Sequence, residues 1–173
     1  VIDTGVLDAS TAYQLFDFWV LELSPLFPMV ILPPQIQSEV IRRSKPLLFL
    51  SILAVAARIL APALQEYLTT EVWKLLAHHV LVTGQPELEV IQALLVTVVH
   101  YSQPEKQRRD YRNYHQLIHA AATMAMDAGM GKRSTRTPSG LFDDPWERGP
   151  VRQAADSAEV RRTWLGIWYL CST

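Results

Sequence analysis

The sequence predicts an all-α fold: an irregular bundle of about six helices with a long loop before the last of them. Three observations carry that prediction. Apolar residues recur every three to four positions over successive stretches of the chain, the spacing that gathers them on one side of a helix. Prolines and glycines fall at the borders of those stretches, where they act as stops. Strand-like alternation extends nowhere: Val6–Leu7 and Met29–Leu32 are β-branched but short, and no internal repeat is visible.

The first helix is predicted from Ala9 to Leu23. Leu15, Phe16, Trp19, Val20 and Leu23 fall at helical spacing, and Asp8 or Ser10 is placed to cap the free N–H groups. Pro25 and Pro28 end it, because proline lacks the amide donor and its ring collides with the preceding turn. After the Pro33–Pro34 turn, Pro34 to Arg42 suits a short helix. The second main helix is predicted from Ser44 to Leu60, with Ser44 as N-cap and Pro46 in the first turn, where a missing donor costs no hydrogen bond. Its Leu47, Leu48, Phe49, Leu50, Ile52, Leu53, Val55, Ile59 and Leu60 point in nearly every direction, and a helix apolar all round is buried all round. It is expected at the centre of the domain, with Leu53 least able to accept a charge.

The third helix follows Pro62 and runs to about Val82, with Gly84 as its stop; it carries Leu64, Leu68, Val72, Leu75, Leu76 and the pair His78–His79. The fourth starts near Pro86 and continues to about Tyr101, with Val90, Ile91, Leu94, Leu95 and Val98 in one stripe. Pro104, Glu105, Lys106, Arg108 and Arg109 make a charged connector. The fifth, Asp110 to Ala128, has the clearest period: Tyr111, Tyr114, Ile118, Ala121, Ala122, Ala125 and Gly129 on one face, Asn113, Gln116, Thr123 and Asp127 on the other, with Gly129 and Gly131 as the stop. Periodicity then disappears, and residues 132–156 are expected to form a mobile loop. The sixth helix begins after Asp156 or Ser157, and Asp156 with Glu159 resembles a capping box. Val160, Trp164, Ile167, Trp168 and Cys171 share a face there. Leu165 and Tyr169 make the reverse face apolar too, so this helix requires partners on both sides.

At 173 residues and 49% hydrophobic, the chain suits one domain with a substantial core. Val1 in place of Met, and Thr173 inside an apolar pattern, read as cuts in a longer protein. Lys plus Arg total 16 against 17 Asp plus Glu, a balance that argues against this piece gripping DNA phosphates. One cysteine, Cys171, excludes an internal disulfide and a multi-cysteine zinc site. The apolar stretch from Pro46 to Ala57 falls short of the roughly 20 residues that span a bilayer, so it reads as a buried helix with no membrane role.

The residues that can carry chemistry are few. His115 and His119 stand four apart on one helix, a metal-compatible spacing. The zincin pattern fails there because Gln116 occupies the place of its glutamate, and a helix-border role fits better. His78 and His79 are adjacent and diverge. Asp143 and Asp144 sit in a turn beside Pro145. Gly129-Met130-Gly131 follows a helix, whereas phosphate-binding glycines precede one. Cys171 reads as an inert packed thiol. Lys132-Arg133-Ser134-Thr135-Arg136-Thr137 is a basic, hydroxyl-rich run read as a solvated loop, and Arg161–Arg162 suit salt bridges with nearby acids. No catalytic, cofactor-binding or metal-binding residues are assigned.

Five blocks in order resemble the middle homology region of fungal zinc-cluster transcription factors. Leu15-Phe16-Asp17-Phe18 leading to Pro25-Leu26-Phe27-Pro28 is similar to its opening aromatic helix and turn. Leu53-Ala54-Val55-Ala56-Ala57, Ile91-Gln92-Ala93-Leu94-Leu95, Ala121 through Gly131 and Arg161-Arg162-Thr163-Trp164 follow. Leu165 replaces the family's second tryptophan, and Gly131-Lys132-Arg133 replaces its glycine-leucine-histidine-arginine ending. The resemblance implies a regulatory domain in the nucleus, working with transcriptional co-regulator proteins, with a homodimer and a small-molecule effector as further expectations. Zinc and DNA contact are implied only for a cysteine cluster upstream in the parent protein. The alternative is a helical enzyme fragment, a lyase or hydrolase, which requires His78, His115, His119 and Glu66 to converge inside the bundle.

Overall fold

In the computed structural model, which describes residues 5, 7–33, 35–100, 111–131 and 157–172 (111–113 by backbone alone), the regular elements are all helical. Helix α1, Ala9–Phe18, starts at Asp8, whose carboxylate accepts from the amides of Ser10 at 2.7 Å and Thr11 at 3.2 Å. The Thr11 and Ser10 hydrogen bonds hold that carboxyl down to about 2. The chain runs on through a π-helical segment, Trp19–Leu23, to a 3₁₀ turn at Ser24–Leu26 that contains Pro25. The predicted borders of the first helix therefore hold, while its widening at Trp19 does not follow from the residue pattern.

Helix α2 spans Ser38–Ser44 and α3 spans Pro46–Leu60. Ser44 is not the N-cap of α3. It closes α2, donating its hydroxyl to the Val40 carbonyl at 2.7 Å, and Lys45 occupies the cap position with no capping side chain of its own. Helix α4, Pro62–Ala77, continues as a π-helical segment, His78–Thr83, stopped by Gly84 at φ +65°. Helix α5 spans Leu88–Val99 and α6 spans Tyr111–Asp127. Beyond α6, Gly129 donates to the Met126 carbonyl and Met130 to that of Ala125, both at 2.9 Å, the paired bonds of a Schellman stop. Helix α7 spans Ala158–Ser172, with the Ser157 hydroxyl accepting from the Val160 amide at 3.2 Å. The charged connector, the 132–156 loop and Asp156 lie outside the described residues.

Helix α3 packs against α1, α2, α4, α5 and the Trp19–Leu23 segment, which is the central position its composition predicts. It is not buried all round, however: Ile59 and Leu60, past its last buried residue Ala57, are more than half exposed. Leu48, Ile52 and Leu53 are fully buried, and the Phe16 and Phe49 rings lie 5.6 Å apart. Each such large side chain contributes about 1.5–3 kcal/mol on burial. Helix α5 links this group to a second one, packing against both α6 and α7. Its stripe of Val90, Ile91, Leu94, Leu95 and Val98 is buried as predicted, as are Ile118, Ala121 and Ala125 of α6.

Two corrections concern faces. Leu75 is exposed, and α4 buries Leu68, Val72 and Leu76 instead. Helix α7 buries Val160, Thr163, Gly166 and Ile167, while Trp168 is 63% exposed and Cys171 is exposed as well. The contact line is turned by a little under one residue, roughly 70° of helix. Gly166 is the reason: a Cβ there would lie 2.8 Å from the Met29 Cβ, so the helix closes in along its glycine, with Trp164 at the edge of the contact and Trp168 outside it.

Candidate functional site

Three helix N-termini meet in one place, and the polar residues of the bundle interior collect there. Glu89, in the first turn of α5, accepts from the backbone amides of Leu47 at 2.6 Å and Leu48 at 3.2 Å. It supplies the cap that α3 lacks, and a carboxylate suits the positive end of the helix dipole. At the other end of the same pair, Arg58 of α3 donates to the His100 carbonyl beyond α5 at 2.9 Å. Start is thus tied to start and end to end, so α3 and α5 run side by side in the same direction. Burial, with the Arg58 charge adding to it, holds His100 below the usual histidine range.

Beside Glu89 lies Gln92, 1% exposed. Its Oε1 accepts from Lys45 Nζ at 3.1 Å, and its Nε2 donates to Glu159 Oε1 at 2.9 Å and to Thr163 Oγ1 at 3.4 Å. Lys45 Nζ also reaches Glu159 Oε1 at 2.5 Å. Thr163, fully buried, donates its hydroxyl to the Glu159 carbonyl at 2.9 Å. One amide therefore joins the segment before α3, the first turns of α5 and the first turns of α7. Burial pushes the Glu159 carboxyl up, but the Lys45 and Gln92 hydrogen bonds and the charges of Lys45 and Arg162 outweigh it and hold the group below the usual carboxylate range. The Glu159 carboxylate oxygen Oε1 is turned to Lys45 and Gln92; the capping box expected with Asp156 lies outside the described residues.

A second contact fixes α7 further along. The Trp164 indole lies against the backbone of Gly131, where a Cβ would sit 2.5 Å from Cζ2, and Gly131 has φ +80°. The glycine pair after α6 and the tryptophan of α7, read separately in sequence, are two sides of one contact.

The residues proposed for chemistry do not come together. His78, His115, His119 and Glu66 are all exposed, the histidine pair on α6 and the other two on α4 and its π-helical extension. The enzyme alternative needed them inside the bundle, and the apolar faces of these helices turn them outward. Among the described residues, no group of three or more His, Cys, Asp or Glu side chains could hold a metal ion. Asp143, Asp144 and the Lys132–Thr137 run lie outside the described residues. The Arg162 Nε is buried with no hydrogen-bond partner among the described residues, although its charge acts on Glu159. Between α5, α6 and α7 a crevice lined by Leu95, Val98, Ile118, Ala121, Ile167 and Leu170 leaves no room for a water molecule. It is packed core and not a metabolite pocket. Cys171, expected to be packed, faces solvent.

Sequence reading missed Lys45, Glu89, Gln92 and Thr163. One signal was available: Gln92 stands alone in the apolar run Val90–Val96, and a buried amide demands partners.

The family model described as "Fungal specific transcription factor domain" matches residues 17–170. Transcription factor pbcR of Emericella nidulans is 33% identical over 172 residues, covering 96% of this chain and 23% of that protein. Transcription factor himD of Aspergillus japonicus is 28% identical over all of this chain and 28% of its own length. Transcriptional regulator WAR1 of Candida albicans is 26% identical over 78% of this chain and 14% of its own length. The chain thus spans less than a third of the curated relatives it matches. No solved structure matches it.

Proposed function

Since this chain belongs to the fungal specific transcription factor domain family, we propose that it is the regulatory body of a transcription factor, acting through helix packing and partner contacts and not through turnover. The single observation that carries the reading is the extent of the family match, which runs from within α1 to within α7 and so takes in both helix groups and the junction between them. The named relatives are all transcription factors or regulators.

In this reading the domain works in the nucleus. Its partners are transcriptional co-regulator proteins or a second copy of itself, and a small molecule can bias its packing. Contact with DNA, and zinc, belong to a cysteine cluster elsewhere in the parent protein. The charge balance supports that division, since a near-neutral domain gains little from phosphate contacts. No helix among the described residues is long and apolar enough to cross a membrane.

The test is a reporter assay. The 173-residue chain is placed between a heterologous DNA-binding domain and a strong activation domain. Output should change several-fold relative to the fusion joined by a flexible linker of similar reach. Equal output from the two fusions, with the domain shown to be folded in the one that carries it, would overturn the proposal.

A further inference from the structure

Helix α7 is held at points that depend on its register. Gly166 is the notch that receives Met29, where a side chain would place a Cβ 2.8 Å from the Met29 Cβ. Trp164 covers Gly131, where again no Cβ fits. Glu159 and Thr163, one turn apart, both meet Gln92. A slip of α7 by one turn, about 5.4 Å, would bring Arg162 or Leu170 to the notch and take one of the paired partners away from a fully buried amide. The Gly166 notch and the Trp164–Gly131 contact are then lost together and the Lys45–Glu159 pair is pulled apart, while Lys45 keeps only the Gln92 Oε1. A slipped helix leaves Gln92 Nε2 short of one of its two acceptors, and unpaired buried polar groups are costly.

We propose that Gln92 is the register key of α7, and that the joint breaking of the Lys45–Gln92–Glu159–Thr163 junction is the step by which α7 leaves the bundle as one unit. Gln92 acts as a positioning residue, since it works through Glu159 and Thr163. The consequence lies on the opposite side of the helix. Leu165, Trp168 and Tyr169 stand at i, i+3 and i+4 and are each more than half exposed, so the register decides where that apolar face is presented. This regulatory role rests on the reading of the chain as a regulatory body, but its structural core is tested without any transcriptional readout.

The experiment is hydrogen exchange, followed by mass spectrometry, on the 173-residue chain and three variants. In the parent, the amides of α7 exchange together and faster than those of α3. Gln92→Glu sets a carboxylate against Glu159 and accelerates exchange in α7 about tenfold, while α3 stays within about twofold of the parent. Glu159→Gln alone weakens the Lys45 pair and accelerates α7 less. Combining Q92E with E159Q exchanges carboxylate and amide across the junction, keeps its charge, and returns α7 to within about twofold of the parent rate. That rescue is the decisive result, because a residue that merely fills space would show additive damage. Additive acceleration in the double variant, or equal acceleration of α3 and α7, overturns the proposal. Should Q92E fail to fold alone, the double variant and E159Q still decide the matter: a double variant no better protected in α7 than E159Q sinks it. Rescue here with an unresponsive reporter would leave the key standing and remove only the regulatory reading.

Discussion

Helices α3 and α7 are both fifteen residues long and hold their places by opposite means. Helix α3 buries ten residues, from Leu47 to Ala57, spread around its axis, and packs against α1, α2, α4 and α5. Helix α7 buries four and leaves Leu165 and Trp168 largely to solvent, with Tyr169 half-exposed beside the Phe27 ring. What locates α7 is a short series of directional contacts: an amide junction, a tryptophan over a glycine, and a glycine notch. Apolar burial is non-directional and scales with area, so it fixes where α3 lies through sheer extent. Contacts that demand one partner at one distance fix α7 with little area. The lesson is that a helix can be central and tolerant of detail, or peripheral and specified by detail.

The comparison can be broken at several points, from the strongest blow to the weakest. Leu53→Asp, which puts an unpaired carboxylate at a site 1% exposed, should cost more than about 4 kcal/mol and abolish the cooperative melt followed by circular dichroism. A melt within a few degrees of the parent would deny α3 its central role. Gly131→Ala places a Cβ against Trp164 at φ +80° and should cost about 1–3 kcal/mol in urea unfolding. An unchanged midpoint would mean that Trp164 swings aside freely.

Glu89→Ala removes the carboxylate that caps α3 and leaves the Leu47 and Leu48 amides unmet. The expected loss in the same urea assay is about 1–2 kcal/mol. Wild-type stability would show that water replaces the cap at no cost.

Acidity should act in two stages of one sign. His100 is held below its ordinary value of 6.5 by burial first and Arg58 second, so the unfolded chain takes up its proton before the folded one does. The stability it contributes is complete above that value and lost as pH falls from there through the folded value. Glu159, also depressed, contributes stability above the ordinary carboxylate value of 4.5, lost as pH falls further. Urea midpoints taken between about pH 3 and 8 should decline in these two steps. Glu159→Gln should shrink the lower step, which the depressed carboxyls of Asp8 and Glu39 share, and leave the upper one; a profile unchanged by that substitution would exclude Glu159 as a source of it. Least of all, Trp168→Ser on the exposed face of α7 should change stability by no more than about 0.5 kcal/mol, and a larger loss would show that this face is packed.

Much of the fold was legible because helix period and helix stops are local. Pro25 ended the first helix, Gly84 the long third one, and Gly129 the fifth, since each of these residues acts on its own backbone. The burial of Leu53 followed from an apolar surface with no polar side. Ser44 misled because a hydroxyl before Pro46 has the right chemistry for a cap, yet the backbone of α2 already occupied it. The face of α7 misled because Trp168 and Cys171 are as apolar as the residues that are buried, and periodicity cannot tell two apolar sides apart.

The sequence by itself determined which segments become helices, which one lies at the centre, and the order of blocks that marks the family. Only the tertiary structure decided what holds α7, what caps α3, and where Gln92 spends its hydrogen bonds. The partners of that amide and of Lys45 stand 47, 67, 71 and 114 residues apart along the chain. A residue's own preference and its near neighbours set local structure, whereas a contact across such distances exists only after apolar burial has brought the helices together.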